Sequence, residues 1–168
     1  MVAASTVSVA TRAVLWLVSG IAGAMLFWLV QALTGGPTIP DFVGGQIAEA
    51  GGYPARFAPA IGWAVHLAVS LSYALLFGVI VLLLATTRLP AQIAIGALVA
   101  VALGWVTTMG APPAISVTIS VLSGQAWPSV NFPLNTELGI PFWNHVAFFL
   151  LNWVIQAAGP RLVRVGGA

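Results

Sequence analysis

Residues 63–84, WAVHLAVSLSYALLFGVIVLLL, place a histidine at the head of a run that is otherwise long and apolar enough to cross a bilayer. A hydrocarbon core of ~30 Å takes ~20 apolar residues in helical form, so this stretch reads as a span with His66 inside it. An ionisable side chain at that depth costs free energy and calls for a structural or functional reason.

The rest of the chain has the same character. Of 168 residues, 60% are hydrophobic and 5% are charged, against ~25% charged in soluble domains, and mean hydropathy is +1.05. The chain is expected to be an all-α polytopic membrane protein, a single membrane domain over residues 1–168. Its five basic residues are all Arg, and they flank apolar segments. The pI near 10.0 therefore does not describe a basic face, and nucleic acid is excluded as a partner. Absence of Cys removes disulfides, CxxC redox motifs and thiolate metal sites.

Four apolar segments stand out, at about 13–34, 58–86, 89–110 and 142–158. The first exceeds the ~7 to 15 apolar residues of a signal peptide and is read as retained. Four spans put Arg12, Arg88, Arg161 and Arg164 on one side and Arg56 on the other, beside Asp41, Glu49 and Glu137. The positive-inside rule then makes both termini and the 87–88 turn cytoplasmic. Tyr53, Trp63, Trp127, Phe142 and Trp143 cluster at the outer ends, as an interfacial aromatic belt does.

The spans group into two hairpins, about 10–86 and about 89–160, that read as a tandem duplication. Each has a first span, an outer loop opening with Gly and Pro (GGPTIPDFVGGQ from Gly35, GAPPAISVTISVLSGQ from Gly110) and a second span with a Trp shortly before a His. Such halves would be related by an axis along the membrane normal, with His66 and His145 equivalent. The outer loops, about 35–57 and 111–141, are long for bundle connections and are expected to hold short helical or re-entrant pieces. Asp41 is the expected cap of FVGGQIAEA.

Helical spacing puts His66, Ser70, Tyr73 and Phe77 on one face of the second span, and His145, Phe149, Asn152 and Gln156 on one face of the fourth. Polar groups in lipid lack partners, so these faces should turn into the bundle as a polar seam. Small-residue ridges at Gly96/Ala100/Gly104, Ala64/Ala68/Ser72, Ser19/Gly23 and Gly20/Ala24 should let the helices approach closely. Three readings of the His pair stay open: neutral imidazoles hydrogen-bonded to neighbouring helices, an outward-facing pair that titrates, or two axial ligands to a haem b in an electron-transfer subunit. No acidic residue lies in a span, so paired-carboxylate catalysis and a lone metal-ion site are both unexpected, and Ser70 near His66 has no acidic orienter. Catalytic and metal-ligating residues are expected to be none. The expected partners are the lipid bilayer and other membrane subunits.

One resemblance adds to this. The order His66, Ser70, Tyr73, a short turn, LPAQIAIGALVA, APPA with Pro112 and Pro113, then FWNHVAFFLLNWVIQ with His145, followed by Arg161 and Arg164, resembles the YagU-type bacterial inner-membrane proteins. It covers about residues 58–164 and, more loosely, the first hairpin. The resemblance implies a multi-pass protein of the bacterial inner membrane, in a family of unassigned chemistry linked to acid resistance. Family members have longer, more charged termini and a longer first outer loop, and this chain departs from them there.

Overall fold

A computed structural model describes residues 8–84, 89–128 and 133–165. The helices are α1 (Val9–Thr34), α2 (Ile39–Ala50), α3 (Ala58–Leu83), α4 (Leu89–Leu122) and α5 (Ile140–Val165), with a 3-10 turn at Ala55–Phe57 leading into α3. No strand occurs among the described residues. Three helical stretches are long and apolar enough to cross a membrane: Val9–Thr34, Ala55–Leu83 and Pro90–Leu122. Helix α5 matches α1 in length at 26 residues, but Asn144, His145, Asn152 and Gln156 dilute its apolar run. The 87–88 turn with Arg88 lies outside the described residues, as do the side chains of Arg161 and Arg164.

Local chemistry sets the helix ends. Ser8 Oγ accepts the Thr11 N–H at 3.0 Å and starts α1, and Gly35 ends it in the left-handed conformation at φ +80°, which glycine adopts without a Cβ penalty. Helix α2 is capped by Thr38 and not by Asp41. The Thr38 hydroxyl accepts the Asp41 N–H at 3.4 Å and donates to Asp41 Oδ2 at 2.6 Å, so the carboxylate sits at the third helical position, favourable for the helix dipole.

The second loop departs from expectation, because the helix begun at residue 89 does not stop at Gly110. It runs on through Pro112 and Pro113 to Leu122, and the stretch read as too short to span is its last third. A proline interrupts a helix by withholding the N–H that would reach the carbonyl four residues back. For Pro113 that carbonyl is Met109 O, and it accepts the Asn135 N–H of the returning segment at 3.3 Å instead. A neighbouring segment thus satisfies the freed group, as membrane helices require.

Helix α1 is central, packing along α3 on one side and α5 on the other, while α5 also packs along α4. The two hairpins are not packed as equivalents. If they were, α3 and α4 would meet as extensively as α1 and α5, yet their contact is slight, and α2 lies against α3 and touches α4 at that place. Helices α2 and α3 approach with backbone almost in contact. A Cβ on Gly62 would run into the Pro40 carbonyl, and one on Gly44 into that of Ala58. Tyr53 Oη donates to Leu122 O at 3.1 Å and Gln125 Nε2 to Ala50 O at 2.8 Å, tying the end of α2 to the end of α4.

Three of the four expected small-residue ridges are internal. Gly96 faces Trp153, Gly104 faces Val146, Gly20 faces Leu71 and Ala74, and Gly23 faces Phe148 and Asn152. Ala64, Ala68 and Ser72 lie on the outer face of α3, because its inner face is filled by Gly62, His66, Ser70, Ala74, Phe77 and Gly78. Replacing Gly62 by Val should push α2 off α3 and destabilise the protein by about 1–3 kcal/mol. Unfolding in detergent and protease cleavage within residues 39–50 would both report it.

Candidate functional site: a histidine-lined cavity

All six residues of the expected seam lie on inward faces: His66, Ser70, His145 and Asn152 are buried, and Tyr73 and Gln156 half-buried. They divide between two places. His66, Ser70, Tyr73 and His145 line one cavity of about 110 Å³ between α3 and α4, closed by Phe27 from α1, Ile39 and Val43 from α2, and Phe148 from α5. Asn152 and Gln156 lie further along α5 and serve as tethers.

Each histidine gives its one N–H to a backbone carbonyl. His66 Nε2 donates to Ala24 O of α1 at 3.0 Å. His145 Nδ1 donates to Pro141 O at 2.8 Å and lies 3.1 Å from Thr108 Oγ1, whose own proton goes to Gly104 O at 2.7 Å. A carbonyl oxygen can only accept, so these contacts set the tautomers. The lone-pair nitrogens are therefore Nδ1 of His66 and Nε2 of His145. Neither nitrogen has a partner, and neither is fully enclosed, since Asn144 Oδ1 is the single fully enclosed side-chain polar atom without one among the described residues; both residues line the cavity.

Phe27 holds the two rings in place. Its ring centroid lies 5.9 Å from that of His66 and 4.9 Å, edge on, from that of His145. Trp63 meets the His66 ring edge on at 5.7 Å and pairs with Trp28 at 5.8 Å. This arrangement does not suit a haem between the histidines. Phe27 is packed against both rings, and the nitrogen that His66 leaves unshared is Nδ1, the one crowded by its own Cβ, because Nε2 is taken by the Ala24 carbonyl. Nor does any group of three His, Cys, Asp or Glu side chains stand together among the described residues.

Below the cavity the seam stitches three helices. Gln156 Nε2 donates to Ser19 Oγ of α1 at 3.0 Å and to Ala74 O of α3 at 3.2 Å. At the level of the cavity itself, Asn144 Nδ2 donates to Phe27 O at 3.0 Å. Asn152 turns back to its own helix, donating to Phe148 O at 2.9 Å.

Periodicity found the residues of α3 and α5 but missed Phe27, Thr108 and Asn144. Thr108 and Asn144 were visible as polar residues within apolar runs. Phe27 carried no sequence signal, since an aromatic in a span is ordinary.

Replacing Gln156 by Leu removes the one side chain among the described residues that hydrogen-bonds from α5 to both α1 and α3. The expected loss is about 0.6–2 kcal/mol, measured by unfolding in mixed detergent, with a smaller change for Asn152→Leu, which cuts no bond between helices.

Scans against protein-family models, curated proteins and solved structures find no match to this chain.

Proposed function

We propose that this chain is a non-enzymatic, four-span protein of the bacterial inner membrane whose working part is the His66–His145 cavity, and that it responds to acid through these two residues. Helix α5 is the fourth span, its polar residues turned inward where they find partners on α1 and α3. Arg12 near the start of α1 and Arg56 at the opposite end fit cytoplasmic termini. The resemblance to YagU-type proteins, with its link to acid resistance, points the same way, and an accessory place in a larger membrane complex is consistent with it.

One observation carries the reading: two histidines from different hairpins line one cavity, each with its N–H committed to a carbonyl and its other nitrogen without a partner among the described residues. A proton taken up there adds to the unpartnered nitrogen and leaves the existing bonds intact. Among the described residues Tyr73 is the other titratable group lining the cavity, and no Asp, Glu or Arg lines it. The imidazolium charges would thus face apolar walls and each other, favouring separation of α3 from α5. Bistable packing biased by His protonation is an established form of pH switch.

Trp63, against the edge of His66, provides the readout, because an imidazolium quenches indole emission. Titration of the detergent-purified protein from about pH 8 to about pH 4 spans the ordinary His range. It should give a sigmoidal fall in emission that is smaller in His66→Gln and absent in the His66→Gln/His145→Gln double variant. An unchanged response in the double variant would refute the proposal.

A further inference from the structure

The cavity has a hydrogen-bonding character of its own, separate from any response to protons. Four of the residues that line it carry a polar atom without a partner among the described residues: His66 Nδ1, His145 Nε2, Ser70 Oγ and Tyr73 Oη. Hydroxyls elsewhere in these helices are satisfied internally, Ser72 by Ala68 O, Thr107 by Leu103 O and Thr118 by Ala114 O. Ser70 and Tyr73 form no such bond, although Ser70 is 4% exposed. Polar side chains in an apolar bundle that leave their bonds unmade mark a place for something else to make them.

The donor and acceptor pattern narrows what that is. Two imidazole lone pairs can only accept, so the occupant must donate; a ketone, ester or ether oxygen would meet them lone pair to lone pair. The two hydroxyls can donate or accept in turn. Among the described residues no charged side chain lines the cavity, and apart from Thr118, whose hydroxyl donates to Ala114 O, the rest of its lining is apolar, so the occupant is neutral. The volume of about 110 Å³ is of the order of the ~150 Å³ apolar cavity that accepts a benzene ring. Val69, 40% exposed, and Ala114, also exposed, line it on α3 and α4. The mouth therefore opens between these helices, on the apolar flank that also exposes Leu76.

We infer that this cavity binds a membrane-soluble phenol or hydroquinone, with the ring beside Phe27, Val69 and Ile115, its hydroxyl protons donated to His66 Nδ1 and His145 Nε2, and its substituents leaving between α3 and α4. The inference uses the neutral histidines and so stands apart from the acid response proposed above.

The test uses the full chain in detergent at about pH 8, where unperturbed histidine is neutral, with calorimetric titration of tert-butylhydroquinone under reducing conditions and of its dimethyl ether. The two share ring and bulk, and the ether cannot donate. The hydroquinone should bind at least about tenfold more tightly, the scale expected when a buried acceptor is left unmatched. The lone-pair ¹⁵N resonances of His66 and His145 should shift on its addition. Ala111→Phe, which fills the cavity and leaves every histidine bond in place, should weaken binding by tenfold or more. His66→Phe should do the same, and the Ala111 variant covers the case in which loss of the bond to Ala24 unfolds it. Equal binding of the ether would make volume the sole recogniser and overturn the inference, as would no binding of either compound or undiminished binding by Ala111→Phe. The titration runs at one pH and the acid response is read without ligand, so failure of either leaves the other standing.

Discussion

The carbonyl groups of α1 are the element on which the bundle depends. A backbone oxygen inside a helix already accepts one bond and has a second lone pair, and in lipid there is no water to use it. Helix α1 offers that second lone pair at Ala24 to His66 from α3 and at Phe27 to Asn144 from α5. One turn and more toward the N-terminus, Ser19 takes the amide of Gln156. Each bond is worth ~0.6 to 2 kcal/mol, modest in itself. Together they fix which faces of α3 and α5 turn inward, and so bring two distant histidines to one cavity.

Close approach makes those bonds reachable. Gly20 and Gly23 let Leu71 and Phe148 lie directly on the α1 backbone, with a Cβ at Gly23 falling 2.5 Å from Phe148 Cε2. Without a hydrophobic force between helices in lipid, such contact supplies the packing energy. The same economy of polar groups explains α4. Of the proline pair that would break a helix in isolation, Pro113 frees the Met109 carbonyl, and Asn135 answers it.

Much of the site was legible from spacing alone. A period of 3.6 in an apolar background marks His66, Ser70 and Tyr73 as one stripe and His145, Asn152 and Gln156 as another, and both turn inward. The division of labour between them was not legible. Gln156 spans two helices while Asn152 bonds to its own, a difference set by what stands opposite each. Nor does a sequence show that Phe27 packs against both imidazoles, since its partners come from separate helices.

Composition and periodicity by themselves determined that this chain is helical and apolar enough for a membrane, and which faces carry its polar groups, because those properties depend on residues within a few positions of one another. Helix ends were partly open: GGPTIP stops α1, where Gly35 takes a positive φ, whereas GAPP does not stop α4, where a remote N–H repairs the break. Only the tertiary structure decided that α2 lies against α3 and touches α4, that the hairpins pack unequally, and that the two histidines share a cavity, each with its N–H on a carbonyl. Those outcomes depend on which carbonyl or glycine stands opposite each side chain, and that is settled by packing between segments far apart in the chain.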